Sequence, residues 1–287
     1  MPSPAADLRR LLAADGLLTM PCCFDALSAR LIQDAGFPLT FMSGFAVSAS
    51  RVAKPDMGLI SYGEMVEQGR QICDAVSIPV IGDGDTGYGN PMNVRRTVEG
   101  YARAGFAGVM IEDQLAPKRC GHTRGKEVVP REEALTRIRA AVDAREAGAD
   151  ILIMARTDAR AIHGLDEAIE RARAFVDLGA DILFVEAPES EAELERVGRE
   201  LPGPKLANLV EGGDTPLLPP ERLEALGFKI AAYPVTLLSA SIRAMQEALG
   251  SLAAGRTPDR LLDWATLRET VGFDAYEALL ARYRGEG

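Results

Sequence analysis

The chain alternates short apolar runs with longer stretches in which apolar residues recur every three or four positions. The runs cover 17–20, 39–42, a third ending at Asp83, a fourth ending at Glu112, then 151–156, 182–186, 205–209 and 229–234. Continuous apolar runs suit parallel strands buried on both faces. Between them lie helix-period stretches. One spans 25 to about 35, another 131–147 after Pro130, a favoured first-turn residue. In a third, Leu165, Ile169, Ala172 and Val176 share one face. Gly36, Gly105, Gly179 and Gly227 fall near predicted helix ends. Eight strand–helix repeats predict the α/β class, as a (β/α)8 TIM barrel. After Pro234 the pattern changes. Leu238, Ile242, Met245, Leu249 and Leu252 form one long helical stripe, and a turn follows at 255–258. A second stretch holds Phe273, Tyr276, Leu280 and Tyr283. Two extra C-terminal helices exceed what a closed barrel needs. The expectation is one barrel domain over 1–287, with 235–287 as helices packing on a neighbouring subunit or folding back on their own barrel.

In this fold the strand C-termini and the loops after them build the active site. Ser43, Asp83, Asp85, Glu112, Arg156, Glu186 and Asn208 all fall at or just past a predicted strand end. Polar residues also simply mark where strands stop, and any one of these could be read so. The combination of acids, an arginine and an amide is harder to explain that way.

The densest chemistry lies between 83 and 122. Asp83 and Asp85 are two residues apart, and such residues point the same way on an extended chain, so both can face one hard cation. Glu112 adds a third carboxylate, giving a ligand set that Mg²⁺ accepts together with water. Taken alone, Asp85-Thr86-Gly87 reads equally well as an ordinary Asx turn. A basic segment follows, with Cys120 flanked by Lys118, Arg119 and His122. Cations lower a thiol's pKa from its free value of about 8.5. Lys118, Arg119, Arg124 and Lys126 in the same loop could clamp carboxylates, and metal, thiol and cations within forty residues point to a site for anionic substrates. Arg156 suits bidentate carboxylate binding. His163, the other histidine, reads as a surface or structural residue.

Composition removes several classes. The 287 residues carry a net charge of −10 and no lysine- or arginine-rich block, which argues against nucleic acid. Four cysteines in a chain this long, two of them adjacent, suit a reducing cytoplasm rather than a disulfide framework. No apolar run approaches the roughly 18 residues that span a bilayer, and no signal-peptide pattern is visible.

The pentapeptide Lys118-Arg119-Cys120-Gly121-His122 resembles the lyase signature of the isocitrate lyase/phosphoenolpyruvate mutase superfamily. It occurs with Asp83-x-Asp85-x-Gly87-Tyr88-Gly89 and Glu112-Asp113-Gln114, and the resemblance runs from about Leu11 to the C-terminal helices. It is nearest the short lyases: dimethylmalate lyase, methylisocitrate lyase and the petal death protein. The resemblance implies a Mg²⁺-dependent (or Mn²⁺-dependent) C–C lyase cleaving a 2-hydroxy di- or tricarboxylate to a 2-oxo acid such as pyruvate plus a carboxylate. It implies Asp83 as a direct metal contact, with Asp85 and Glu112 acting through water, and Cys120 as the proton donor. Lys118, His122, Arg156 and Glu186 complete the catalytic set it implies. Ser43, Gly44, Phe45, Asp56, Gly121 and Asn208 become substrate-binding candidates. The base stays open, since Phe41 stands where some relatives carry tyrosine. Tyr88, Glu186 or a metal-bound water remain. The family also implies a homotetramer with exchanged terminal helices. Alternatives are an oxaloacetate hydrolase or decarboxylase, a carboxyphosphonoenolpyruvate mutase-like enzyme, or a non-catalytic barrel. The run Glu211-Gly212-Gly213-Asp214-Thr215-Pro216 resembles the dimethylmalate lyase branch. Pro234 stands where oxaloacetate hydrolases of the group carry a serine, which implies alkyl-substituted malates.

Overall fold

The computed structural model describes residues 3–284 apart from His122 and Arg124. Eight parallel strands close into a barrel in chain order: β1 (Leu18–Cys23), β2 (Thr40–Met42), β3 (Val80–Asp83), β4 (Gly108–Glu112), β5 (Leu152–Thr157), β6 (Ile182–Val185), β7 (Lys205–Asn208) and β8 (Ile230–Tyr233). The ring closes where Leu18 of β1 pairs with Ile230 of β8. These are the strands the apolar runs predict. β1 continues past the expected end because Pro21 does not stop it. Its carbonyl accepts the Thr40 hydroxyl at 2.9 Å, and it sits opposite Tyr233 in the ladder.

The helices are α1 (Pro4–Ala13), α2 (Ala26–Asp34), α3 (Gly44–Val52), α4 (Tyr62–Ala75), α5 (Pro91–Arg103), α6 (Arg131–Glu146), α7 (Arg160–His163), α8 (Leu165–Asp177), α9 (Glu191–Glu200), α10 (Pro220–Ala225), α11 (Thr236–Ala253), α12 (Trp264–Val271) and α13 (Phe273–Arg284). Local chemistry starts several of them. Asp25 and Ser28 form a capping box on α2, and Ser61 and Glu64 form another on α4. On α8 the buried face is Leu165, Ala168, Ile169, Ala172 and Phe175; Val176, expected there, is only half-buried. α1 was not expected from the apolar pattern. Ser3 caps it, and its Ala5 and Leu8 pack with Met20, Leu39, Ile81 and Leu152 inside the barrel.

Strand alternation decides what faces the lumen. Ile81, Met110, Leu152, Met154, Ile182, Phe184 and Leu206 belong to the inner cluster. Val80, Val109, Ile111, Ile153, Ala155, Leu183 and Ala207 belong to the outer layer under the helices. Successive side chains in a strand point to opposite faces. Continuing the inner phase by two residues reaches Asp83 from Ile81, Glu112 from Met110, Arg156 from Met154, Glu186 from Phe184 and Asn208 from Leu206. Polar residues thus take the lumen positions at the C-terminal end of the barrel, where a hydrophobic layer below them excludes water.

The chain divides into two compact units, one to Leu237 and one from Leu238. The second contains three helical segments rather than the two expected after β8. The expected second stretch coincides with α13, and the helix that was not expected is α12, which Asp263 caps and Gly272, at φ +90°, ends. Within this unit Arg268 lies over the Phe273 ring at 4.7 Å and donates to Glu277 at 2.8 Å. Its apolar side chains are largely exposed, among them Leu249 (64%), Trp264 (70%) and Tyr283 (82%). Among the described residues, no helix is long and apolar enough to cross a membrane.

Candidate active site

The β3–α5 and β2–α3 connections bring the first carboxylates together. Asp83 ends β3, and its Oδ1 accepts the Asp85 backbone N–H at 3.0 Å, which is an Asx turn. Its Oδ2 accepts the Gly44 N–H at 3.2 Å, from the first turn of α3. Gly44 has to be glycine, because a Cβ there would lie 2.3 Å from Asp83 Oδ2. Asp85 adopts φ +47°, a left-handed conformation that aspartate tolerates better than most residues. Its carbonyl accepts the Glu112 N–H at 2.9 Å, tying the β3 turn to the end of β4. Tyr101 of α5 supports the turn from behind, donating to the Asp83 carbonyl at 2.6 Å.

Lys118 sits among these acids. Its Nζ lies 2.6 Å from Asp56 Oδ1 and 2.7 Å from Asp85 Oδ1, and all three side chains are buried. Burial works against the ammonium, but Asp85, Asp83, Asp56 and Glu112 outweigh it and hold Lys118 above the usual lysine range. Burial pushes the Asp85 carboxyl up to about 7, against the pull of Lys118 and with help from Asp83 and Asp56. Burial also pushes Glu112 well above the usual carboxylate range, opposed by Arg156.

Among the described residues, no three His, Cys, Asp or Glu side chains converge into a ready-made metal cage. Mg²⁺ does not require one, since it keeps several waters and takes one or two carboxylates. The donor set fits it. Asp83, Asp85 and Glu112 are hard oxygen ligands, and Glu112 Oε1 is buried with no hydrogen-bond partner. A buried acceptor of that kind is costly unless a cation or water satisfies it.

Arg156 is the second centre. The β4–β5 register places it beside Glu112, and its Nε lies 3.4 Å from Glu112 Oε2. Its guanidinium also makes a two-pronged contact with Asp158, Nε to Oδ2 at 2.8 Å and a terminal nitrogen to Oδ1 at 3.0 Å. A terminal nitrogen reaches Glu186 Oε1 at 3.5 Å, and the Phe184 ring lies beneath at 4.9 Å. Glu186 accepts the Asn208 amide at 3.3 Å. Gly121 lies directly on this pair. A Cβ on it would come within 1.7 Å of Glu186 Oε1 and 2.4 Å of the Arg156 guanidinium. The turn that carries Cys120, half-buried, is therefore laid against Arg156 and Glu186.

Of the sequence candidates, the contacts join Gly44, Asp56, Asp83, Asp85, Glu112, Lys118, Gly121, Arg156, Glu186 and Asn208 into one connected site. Ser43 is buried beside Gly44, where its hydroxyl caps α3 by accepting the Ala46 N–H at 3.3 Å; Phe45 is half-buried. His122 and Arg124 lie outside the described residues. The expected basic clamp is organised differently. Lys118 and Lys126 turn inward to protein carboxylates, while Arg119 is exposed and its backbone is held by Gln114. Tyr88 packs edge-on to Tyr62, with its hydroxyl 3.5 Å from that of Tyr101. Burial pushes its phenol up, which makes it a poor base. Burial likewise raises the thiols of Cys22, Cys23 and Cys73, consistent with packing roles. His163 is exposed.

Sequence reasoning assigned no role to Asp158 or Asp113. Asp158 is fully buried, and Arg156, with Lys126, holds its carboxyl below the usual range against the effect of burial. Asp113 accepts the Thr157 hydroxyl at 2.6 Å, the Asp158 N–H at 2.9 Å and Arg171 of α8 at 3.1 Å. Both were visible in the sequence, Asp113 within Glu112-Asp113-Gln114 and Asp158 two residues after Arg156.

This geometry has close relatives. The family described as phosphoenolpyruvate phosphomutase matches residues 8–253. A 2,3-dimethylmalate lyase from Eubacterium barkeri is 45% identical over 259 residues, covering 90% of this chain and 89% of that protein. The solved structure of an oxaloacetate acetylhydrolase with the inhibitor 3,3-difluorooxalacetate superimposes with a TM-score of 0.93 at 38% identity, covering 99% of this chain and 98% of the other. A phosphonopyruvate hydrolase solved with oxalate and Mg²⁺ superimposes at 0.87 and 30% identity, covering 98% and 99% of the two chains. The chain belongs to the phosphoenolpyruvate phosphomutase family and is an enzyme of that superfamily's lyase and mutase group.

Proposed function

We propose that this enzyme is a Mg²⁺-dependent C–C lyase that cleaves an alkyl-substituted malate to a 2-oxo acid and a carboxylate. A dimethylmalate-like acid is the first candidate and a methylisocitrate-like acid the second. The observation that carries the proposal is the Cys120–Gly121 turn lying against Arg156 and Glu186, next to a cluster of buried acids. Asp83, Asp85 and Glu112 would hold the metal. When bound, Mg²⁺ supplies a Lewis acid that polarises the substrate's carboxylate and hydroxyl oxygens.

The protein side of the reaction follows from the chain's own groups. Glu186 is the base best placed to take the C2 hydroxyl proton, since it lies at a strand end against Arg156 and Asn208 while the Tyr88 hydroxyl is engaged with that of Tyr101. The C2–C3 bond then breaks, C2–O becomes a carbonyl, and the electron pair moves to C3. The Cys120 thiol gives C3 a proton, the step that general acids accelerate by about 10²–10⁴-fold. Arg156 faces the negative charge that develops on oxygen. Ser43, Gly44 and Phe45 set the α3 N-terminus beside the site, a position that favours a substrate carboxylate even with the Gly44 N–H donated to Asp83. Lys118 holds the loop to the acids, and His122 is assigned to the same loop from the sequence motif.

Selectivity is proposed to rest on Pro234, which follows β8 at the barrel mouth. Proline offers no N–H and no side-chain donor to a hydrated ketone. Each methylene packed on such an apolar wall is worth about 0.8 kcal/mol. The similarity to oxaloacetate acetylhydrolase supports oxaloacetate hydrolysis as the second reading. A panel of dimethylmalate, methylisocitrate, oxaloacetate and phosphonopyruvate separates them, using pyruvate, oxalate and ³¹P detection. Efficient oxaloacetate hydrolysis without alkylmalate cleavage would overturn the lyase assignment. The exposed apolar faces of α11, α12 and α13 support assembly as a homotetramer, and the cysteine usage supports a cytoplasmic setting.

A further inference from the structure

Lys126 is buried although its neighbours Thr123 and Gly125 in the same loop are exposed. A lysine in a surface loop normally keeps its ammonium in water. Here Nζ donates to the Gly121 carbonyl and lies 3.2 Å from Asp158 Oδ1. Asp158 Oδ1 also accepts from Arg156, and the Asp158 N–H is pinned by Asp113. The loop is anchored independently at both bases. Gln114 exchanges hydrogen bonds with the Arg119 backbone, Gln114 and Val128 form a bridge, and Arg171 donates to the Val129 carbonyl at 2.9 Å. Lys126 is therefore not needed to hold the loop ends. What it fixes is the Gly121 peptide, which also lies against Arg156 and Glu186.

We propose that Lys126 is a positioning residue for the Cys120–Gly121 turn, locked in place by the same Asp158 carboxylate that aims Arg156. The inference deepens the lyase reading and rests on it for its catalytic consequence. Sharing one carboxylate couples two jobs. The guanidinium cannot shift without disturbing the ion pair that holds the turn, and the turn cannot rotate without releasing a buried cation. Taking an ammonium out of water costs several kcal/mol unless it is paired, so the loop has one favoured setting with Lys126 engaged. That setting places the thiol, one residue before the held carbonyl.

The test uses the full chain and two variants. Lys126→Met keeps the length and removes the charge; Lys126→Arg keeps the charge. The first readout is the rate at which N-ethylmaleimide labels Cys120, followed by mass spectrometry of its peptide, and it needs no turnover. Lys126→Met is expected to label about tenfold faster, with a melting temperature close to that of the parent protein, and Lys126→Arg to return most of the protection. In turnover, Lys126→Met should lower kcat by about 10²-fold with little change in KM, the cost of a misplaced acid. If Lys126→Met does not fold, Lys126→Leu gives the same labelling test, since it too removes both the ion pair and the donor to Gly121. Labelling of the charge-free variant at the parental rate would overturn the proposal, as would Lys126→Arg labelling as fast as Lys126→Met. An absence of lyase activity in the parent protein would strike the proposed function and leave the labelling result to decide the positioning role.

Discussion

Gly121→Ala is the sharpest perturbation of the candidate site. The new methyl carbon would stand 1.7 Å from Glu186 Oε1 and 2.4 Å from the Arg156 guanidinium, where real contacts stay beyond 3.0 Å. More than an ångström has to be found. Glu186 cannot swing away freely, because it is buried and held by Asn208 and Arg156. Arg156 cannot, because Asp158 grips it with two hydrogen bonds. The turn itself must lift. Overpacking of this kind costs about 1–3 kcal/mol in a packed setting. If that cost falls on the closed arrangement that reacts, kcat drops by about 5- to 150-fold, at 1.36 kcal/mol per tenfold. The fold should survive, because the strain is relieved in a loop and the barrel core is untouched. The assay is steady-state pyruvate release from the preferred alkylmalate, with the melting temperature measured alongside. A kcat within about twofold of the parent enzyme would refute the placement of the Cys120 turn on the Arg156–Glu186 pair.

Other consequences can be checked more briefly. A chelator should abolish turnover and Mg²⁺ or Mn²⁺ should restore it, while Asp83→Ala should fold normally and stay inactive; full activity in metal-stripped protein would sink the mechanism. Cys120→Ser should slow cleavage by about 10²–10⁴-fold and leave pyruvate binding nearly intact, since a hydroxyl is a far weaker acid than a thiol. Removing residues from about 257 onward should dissociate or misfold the assembly, and a stable, active monomer in light scattering would remove the case for exchange of the terminal helices. Arg131, with Arg171, holds the Glu167 carboxyl down to about 2 from its usual 4.5. A depressed carboxylate contributes stability above its unfolded pKa and loses it as pH falls through its folded one. Glu167→Gln should therefore destabilise the protein by about 1 kcal/mol at pH 7, after screening at this partly exposed site, and flatten the acid limb between about 4.5 and 2. Urea unfolding at several pH values measures this.

Much of the barrel was legible because a continuous apolar run is a local signal. A run such as 151–156 marks its own strand, so the polar residue at its end, Arg156, could be picked out as a site candidate. The same holds for Asp83, Glu112 and Glu186. What could not be read depends on where distant segments meet. Arg171 reaches Asp113 across 58 residues, and Lys126 reaches Asp158 only because the loop turns back on itself. The first apolar run ends at Met20, yet β1 continues through Pro21, whose carbonyl accepts the Thr40 hydroxyl. α12 was missed between the turn at 255–258 and the stretch that starts at Phe273, although Asp263 caps it and Gly272 ends it.

The electrostatics of the site explain why these details belong together. Among the described residues, six carboxylates, Asp56, Asp83, Asp85, Glu112, Asp158 and Glu186, surround three cations, Lys118, Lys126 and Arg156. The excess is negative, yet the proposed substrate is a dianion. Two like charges 4 Å apart repel by about 4 kcal/mol at an effective dielectric of 20, so the excess must be relieved before such a substrate can enter. Burial, with the neighbouring carboxylates, raises the Asp85 and Glu112 carboxyls, so a proton is held there more readily than on a free carboxylate. A divalent cation relieves the excess better, because it favours the ionised carboxylates and adds two positive charges of its own. Lys118 cannot do the same work, since Asp56 and Asp85 already claim its ammonium. Removing the metal is therefore expected to weaken substrate binding as well as turnover, whereas loss of the Cys120 thiol should affect turnover almost alone.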